Sequence, residues 1–274
     1  MSRASADAPS VPRTVRRITA APPLLVLLAF TAGCTRPSEP VPAPVSVRTA
    51  RHAGRSFTVV TVDLDRGALG LHWKRPDGSR YGNFADLKAD LSRAGEELLF
   101  ATNAGIFEPR FVPTGLHVEG GRELVPLNPR GGAGNFYLKP NGVFCVTDAG
   151  AGVVESGEYA GVAGPVRLAT QSGPLLVRGG QLHPALHPDS PNRAIRSAVG
   201  VPSPRSVVFA LSDEPVTFYE LATLLRDPLG CADALYLDGT ISRFYLPERA
   251  GAGPMDGEFA GMLATTRRRG NQSR

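Results

Sequence analysis

Cysteine is scarce in this chain: three residues among 274, none at CxxC spacing, which excludes a zinc site built on paired thiolates. Long apolar runs are lacking too. The run from Leu24 to Phe30 falls well short of the about 20 apolar residues that a membrane-spanning helix needs. There is no internal repeat, and no regular alternation of strand and helix patterns, which argues against a parallel βαβ architecture. An excess of one charge is also missing once the chain is divided. The formal charge is +5, but residues 1–33 carry four Arg and one Asp, so their removal leaves +2. Four more positive charges, Arg267, Arg268, Arg269 and Arg274, lie in a basic C-terminal tail. The stretch between is close to neutral or slightly acidic, so no nucleic-acid partner is expected.

What is present begins with a leader. Arg13, Arg16 and Arg17 form a positive segment, Leu24 to Phe30 a compact apolar core, and Thr31-Ala32-Gly33 place small residues directly before Cys34. This is the pattern of a signal peptide over residues 1–33. The Cys34 thiol is the one group there able to carry a diacylglycerol, so lipidation at Cys34 is expected, with simple cleavage and a free thiol as the alternative. Thr31 stands where a lipobox usually has Leu, and the residues after Arg16-Arg17 fit a twin-arginine signal poorly. The expected product is an exported protein, lipid-anchored in the cell envelope and facing the periplasm. Residues 34–44 read as a Pro-rich tether, 45–264 as the folded domain and 265–274 as a disordered basic tail. Cys145 and Cys231 are then left as a possible disulfide pair, or as small buried hydrophobes.

Within the domain, Phe57–Leu64 and Leu69–Trp73 have the composition of strands around an Asp65-Arg66-Gly67 turn. Asn83 is placed to cap a helix whose Phe84, Leu87 and Leu91 share one face. Further strands are expected at Glu97–Thr102, Asn135–Leu138, Val143–Thr147, Arg167–Thr170, Leu175–Val177, Ser206–Leu211 and Ala234–Leu237. Thr217-Phe218-Tyr219-Glu220 is a capping-box pattern that opens a second helix, ended by Pro228-Leu229-Gly230. Many strands and two helices without regular alternation predict one α+β domain with mixed, largely antiparallel sheets and a few flanking helices.

Four polar clusters sit at strand ends, where rigid elements position side chains and loops admit a ligand. They are Asn103-Ala104-Gly105-Ile106-Phe107-Glu108 with Pro113-Thr114-Gly115 after it; Gln171-Ser172-Gly173-Pro174-Leu175-Leu176; Asn192 to Gly200, with Arg193 and Arg196; and Tyr236-Leu237-Asp238-Gly239-Thr240-Ile241-Ser242-Arg243. Each alone is an ordinary turn sequence. In this order they resemble the motifs of the phosphodiester glycosidase family, across roughly residues 55–263. The family's Asn-Gly/Ala-Gly-x-Phe element is similar to Asn103–Phe107, its Ser-Gly-Gly-Pro-x-Leu to Gln171–Leu176, its Arg-Thr-Ala-x-Gly to Arg196–Gly200, and its Leu-Asp-Gly-Gly-x-Ser to Leu237–Ser242. Ser172 and Thr240 replace glycines of the pattern, adding side chains that bear on substrate size.

The resemblance implies hydrolysis of the glycosidic bond in a sugar 1-phosphodiester of an envelope or extracellular glycan; no cofactor and no metal ligand is assigned from the residues, and metal dependence stays open. Because the leaving group is a phosphate monoester, charge neutralisation matters more than a strong acid. Arg196 suits phosphate, its guanidinium fork matching two oxygens, with Arg193 and Arg243 as substitutes. Asp238 is the leading base or nucleophile, against a bland role in capping its turn; Asp213 and Glu108 are the other strand-end carboxylates. Asn103, Thr114 and Gln171 are neutral partners for sugar hydroxyls, beside Gly173, Gly239 and Ser242, although Asn103 also fits an Asx turn. His183 and His187 have metal-like spacing, but Pro184 and Pro188 spoil the helix that would give it meaning. His117 and Trp73 either pack or line a wall. Two other functions fit the same residues: a metal-dependent phosphodiesterase using Asp238, Asp213 and Asn103, and a non-catalytic glycan-binding lipoprotein.

Overall fold

The structure is a computed structural model in which residues 43–239, 241–249 and 257–269 are described. The expected leader, Cys34, the tether up to residue 42, Thr240 and the last five residues lie outside the described residues. The chain opens with a hairpin of β1 (Val45–His52) and β2 (Arg55–Asp63), turned at Ala53 and Gly54, both with positive φ. β3 (Ala68–His72), α1 (Phe84–Arg93) and β4 (Glu96–Asn103) follow. Next come a short ribbon, β5 (Phe107–Glu108) with β6 (Val112–Pro113), and a hairpin, β7 (His117–Glu119) with β8 (Arg122–Val125). The middle of the chain forms β9 (Gly142–Thr147), β10 (Gly150–Glu155), β11 (Val166–Ser172), β12 (Leu175–Arg178) and β13 (Gln181–Leu182). The last part forms β14 (Ser197–Ser203), β15 (Ser206–Ser212), α2 (Phe218–Arg226), β16 (Asp233–Asp238), β17 (Phe244–Tyr245) and β18 (Met262–Arg268).

Three main sheets result. The central one has seven strands in the order β1-β2-β15-β14-β16-β12-β13; the others run β10-β9-β11-β7-β8 and β17-β4-β18-β3. Every strand pairing among the described residues is antiparallel, and the α+β expectation holds in that form. The inner strands of the central sheet are buried on both faces and obey the two-residue period. Val208 and Ala210 of β15, with Ala234 and Tyr236 of β16, face α2 and its Leu221, Leu224 and Leu225. Val207, Phe209, Leu235 and Leu237 face the other way, onto residues of both smaller sheets. Phe209 is the junction, with its ring 5.1 Å from Phe100 of β4 and 6.3 Å from Phe144 of β9. Burying such a side chain contributes roughly 1.5–3 kcal/mol. On the far side of β4, α1 buries Phe84 and Leu87 among Leu98, Tyr245 and Met262.

Both helix starts follow the sequence. The Asn83 side chain accepts from the Asp86 N–H at 2.8 Å. Thr217 and Glu220 close the reciprocal capping box, at 3.1 and 2.8 Å, where a cap is worth about 1 kcal/mol. Two expectations are corrected. Asn135–Leu138 is no strand: Gly134 has φ 92°, and Asn135–Tyr137 close into a 3₁₀ turn, with the Tyr137 N–H donating to the Gly134 carbonyl. The basic tail does not begin at residue 265, because Thr265–Arg268 continue β18 and pair with β4 as far as Arg268 opposite Glu96. That pairing is with residues far back in the chain and leaves no local pattern. At the other end, the Pro44 carbonyl already accepts from the Asp63 N–H, so the domain reaches into the expected tether.

Cys145 and Cys231 are both buried and unpaired, which leaves the small-hydrophobe reading. Burial pushes their thiols up, to about 11 and about 12. No helix among the described residues is long and apolar enough to cross a membrane. His183 is buried, with Nδ1 accepting from the Ala185 N–H, while His187 is exposed, so the paired spacing brings no pair together. Burial pulls the His183 imidazole below its ordinary value of 6.5. The unfolded chain therefore takes up a proton first as pH falls, and stability contributed above 6.5 is lost on acidification down to the lowered native value. His183→Asn keeps an acceptor at the Nδ1 position without the titration. Thermal melts between neutral and mildly acidic pH should give a shallower slope for this variant than for the wild type; identical slopes would remove His183 from the pH dependence.

Candidate active site

A cavity of about 520 Å³ opens where β16 ends. Strand β16 places Tyr236 and Asp238 on one face, two residues apart, and both line it. Its other walls come from the loop before β14 (Asn192, Ala194, Arg196), the 3₁₀ turn (Asn135, Phe136, Tyr137), and the ribbon side (Ile106, Phe107, Glu108, Thr114). Of the sequence-predicted residues, Asp238, Glu108, Arg196, Thr114 and Gly239 thus meet at one cavity.

Asp238 is 7% exposed. Its Oδ1 accepts from the Gly239 N–H, and its carbonyl accepts from the hydroxyls of Ser242 and Ser197. A Cβ at Gly239 would overlap the Tyr236 hydroxyl, so only glycine lets that tyrosine come up beneath the turn. Behind Asp238 lies a neutral network. Ser242 Oγ and Ser197 Oγ lie 3.0 Å apart, Asn103 Nδ2 donates to Ser197 Oγ at 3.1 Å, and Asn103 Oδ1 accepts from the Arg243 N–H at 3.2 Å. Asn103 and Ser242 are therefore supports for the Asp238 backbone and do not line the cavity, because their polar atoms are engaged within the fold.

Arg196 is 2% exposed and sits in a cage without a carboxylate. Nε donates to the Val216 carbonyl (3.0 Å), Nη2 to the Asn192 carbonyl and Oδ1 (3.2 and 2.8 Å), and Nη1 to the Tyr236 hydroxyl (3.4 Å). The guanidinium carbon lies 3.7 Å from the Phe218 ring centre. Among the described residues no ion pair involves Arg196. Burial lowers its pKa below the ordinary arginine value, opposed by Tyr236, and it remains a cation. Four of its five N–H groups are thus engaged by protein. One Nη1 hydrogen is left for the cavity, fewer than the two-oxygen fork expected from residue type.

The remaining predicted residues fall elsewhere. Asp213 is exposed and tied to β2, accepting from the hydroxyls of Ser56 and Thr58 at 2.7 and 2.8 Å. It follows Ser212, whose Oγ accepts from the Arg196 N–H, and successive strand residues point to opposite faces, so the catalytic expectation for Asp213 is corrected. Arg193 is paired through Nη1 with both oxygens of Glu220, fastening the Asn192 loop to α2, and Arg243 is exposed outside the cavity. Trp73 donates to the Phe111 carbonyl and meets His117 edge-on, so both pack. Ser172 is fully buried and donates to the Leu237 carbonyl at 3.0 Å, so its side chain stitches β11 to β16 without narrowing the cavity. A Cβ at Gly173 would lie 2.7 Å from both Asn141 Cβ and the Phe136 carbonyl, so that glycine seats the 3₁₀ turn. Tyr236 and Asn192 open two of the four clusters but carry no role from sequence, and Asn135 lies in none of them, although Tyr236 stands two residues before Asp238 on the same strand.

Gln171 is the clearest change of role. Its Oε1 accepts from the N–H groups of Leu116 and Asn128 (3.0 and 2.8 Å), and its Nε2 donates to the Asn128 carbonyl and Ser156 Oγ (2.8 and 3.1 Å). A saturated amide at 1% exposure has nothing to offer a sugar. Gln171→Met keeps the volume but leaves two buried N–H groups unpaired, so urea unfolding should register a loss of about 3 kcal/mol or more. An unchanged midpoint would refute the clamp.

Comparison with known proteins places this geometry. Residues 96–258 match the model of a family described as phosphodiester glycosidase. The uncharacterized protein YigE of Escherichia coli (strain K12) is 34% identical over 186 residues, covering 68% of this chain and 72% of that protein. The catalytic domain of the zebrafish N-acetylglucosamine-1-phosphodiester alpha-N-acetylglucosaminidase shares the fold, with a TM-score of 0.56, 15% identity and 84% of each chain covered. With more than half its length matched by the family model, this chain belongs to the phosphodiester glycosidase family.

Proposed function

We propose that this protein hydrolyses the glycosidic bond of a sugar 1-phosphodiester in an envelope or extracellular glycan. The observation that carries the reading is a buried cation, Arg196, which faces the same cavity as Asp238 and makes no ion pair among the described residues. A cation kept uncancelled in a low-dielectric wall is matched by an anionic ligand, and its attraction grows as charge develops on the departing phosphate. The bond that breaks joins the anomeric carbon to the bridging oxygen, and its electron pair leaves with the phosphate monoester. Water supplies the oxygen that replaces it. Asp238 acts either as the base that takes the water's proton or as the nucleophile whose sugar ester water then opens; both end with water oxygen on the anomeric carbon. Thr114, whose hydroxyl has no partner among the described residues, and the aromatic turn at Phe136 and Tyr137 offer contacts for the sugar.

A phosphodiesterase attacking phosphorus through Asp238, Asp213 and Asn103 is less well supported, because Asp213 is bonded to β2 and Asn103 is engaged behind the Asp238 backbone. Hydrolysis of a panel of sugar 1-phosphodiesters in oxygen-18 water separates the readings. Label on the anomeric hydroxyl is expected; label in phosphate would assign the phosphodiesterase, and no turnover the binding protein. Asp238→Asn should lower kcat by a factor on the order of 10² to 10⁴ while leaving the melting temperature nearly unchanged. A destabilised but active variant would make Asp238 a turn-holding residue only.

The leader supports a second proposal: the protein is exported and held at the envelope membrane by lipid on Cys34, with residues 35–42 as spacer. Cys34→Ala should move the domain to the soluble envelope fraction and remove the lipid mass from the N-terminal peptide. Retention in the membrane fraction would refute the anchor.

A further inference from the structure

The Tyr236 hydroxyl occupies an unusual position for a buried phenol. Its ring packs edge-on against Phe218 at 4.7 Å, and the side chain is 1% exposed, yet its tip reaches the cavity wall under the Asp238-Gly239 turn. Arg196 Nη1 donates to the oxygen at 3.4 Å, and Asn135 lines the same cavity. A guanidinium can only donate, so the oxygen acts as acceptor towards Arg196. Among the described residues no hydrogen bond has the Tyr236 hydroxyl as donor. Its hydrogen is therefore left for whatever fills the cavity, beside the remaining Nη1 hydrogen of Arg196. Burial raises the phenol's pKa above its ordinary value, so that hydrogen is present throughout the neutral range. A wall that brings together donors from Arg196 and Tyr236, with the Asn135 amide beside them, suits an anion with several acceptor oxygens. Asp238, on the same strand face, would repel that anion if it shared the spot. The carboxylate and the donor wall therefore address different parts of one ligand.

We propose that Tyr236 binds the phosphoryl group directly, donating its hydroxyl hydrogen to a non-bridging oxygen alongside Arg196 Nη1, and so selects phosphate-bearing ligands. The assignment rests on the sugar 1-phosphodiester reading and adds to it a neutral donor specific to phosphate. Phosphate is not protonated by the tyrosine: the hydrogen stays on Oη. Its recognition differs from that of a lone arginine, because the bond is lost without any change of charge.

Tyr236→Phe keeps the ring on Phe218 and removes only the oxygen. Titration calorimetry with inorganic phosphate should show affinity weakened by about tenfold to hundredfold, the range for a hydrogen bond to a charged group. The kcat/KM for sugar 1-phosphodiesters should fall with it, while the melting temperature without phosphate stays close to that of the wild type. Asn135→Ala, on the half-buried turn, should weaken phosphate less, and it supplies the test if Tyr236→Phe does not fold. Unchanged phosphate affinity in the folded Tyr236→Phe variant, or in Asn135→Ala should that stand alone, would overturn the assignment. So would a wild-type protein that binds no phosphate at millimolar concentrations. Wild-type phosphate binding that depends on Tyr236, without hydrolysis of any sugar 1-phosphodiester, would uphold the site and refute the glycosidase reading.

Discussion

The arrangement around the cavity depends on one constraint: a guanidinium is held inside the protein without a carboxylate beside it. Desolvating an ion costs several kcal/mol even after relaxation. For Arg196 the offset is assembled from neutral groups, namely the carbonyls of Val216 and Asn192, the Asn192 amide oxygen, the Tyr236 hydroxyl and the face of Phe218. Each of these is fixed by another element. Val216 pairs with Ala194 through two backbone hydrogen bonds, and the next residue, Thr217, is the cap of α2. Phe218 is the first residue of that helix. Ser212 at the end of β15 bonds both ways with the Arg196 backbone. The capping box at Thr217 and Glu220 thus also fixes a wall of the cage, and Glu220 holds Arg193 and with it the Asn192 loop.

A neutral cage has a different consequence from an ion pair. A carboxylate against Arg196 would satisfy the charge and leave the cavity with little field. Carbonyl dipoles and a ring face satisfy its hydrogen bonds and leave the net charge to be cancelled by a ligand. The support for Asp238 follows the same rule, since Asn103, Ser197 and Ser242 are all neutral. The two opposite charges in the cavity therefore sit on directly paired strands, Arg196 just before β14 and Asp238 at the end of β16, with Ser197 opposite Asp238.

Much of this was legible in the sequence, and the misses have physical reasons. Helix starts were readable because a cap is a local interaction between residues three apart, as at Asn83 and Thr217. The meeting of Asp238, Arg196, Glu108 and Thr114 was readable because strand ends deliver side chains to loops. Position at a strand end does not state a face, however, and Asp213 failed on that parity: Ser212 turns towards Arg196 and Asp213 turns to Ser56 and Thr58. Gln171 and Asn103 failed for another reason. An amide has the same donors and acceptors whether it meets a sugar or a backbone, and only the three-dimensional surroundings show that both are saturated. Tyr236 opens the last cluster but gains no role there, because an aromatic within an apolar strand reads as core, which its ring is; the proposed contact lies in one atom at its end.

Glu108 sharpens the chemistry of the proposed reaction. It stands on a two-residue strand at the cavity rim and is exposed. An ordinary glycoside, leaving as an alkoxide, calls for a carboxylic acid held in apolar surroundings so that it keeps its proton until the bond breaks. An exposed rim carboxylate is poorly placed for that duty. A departing phosphate monoester needs no such proton, since its charge is spread over several oxygens and is met by the Arg196 cation. A site with a well-buried cation and a well-held Asp238, but only a solvated second carboxylate, is short of what an alkoxide requires and sufficient for a phosphate. The asymmetry between its two carboxylates is thus itself an argument for the leaving group.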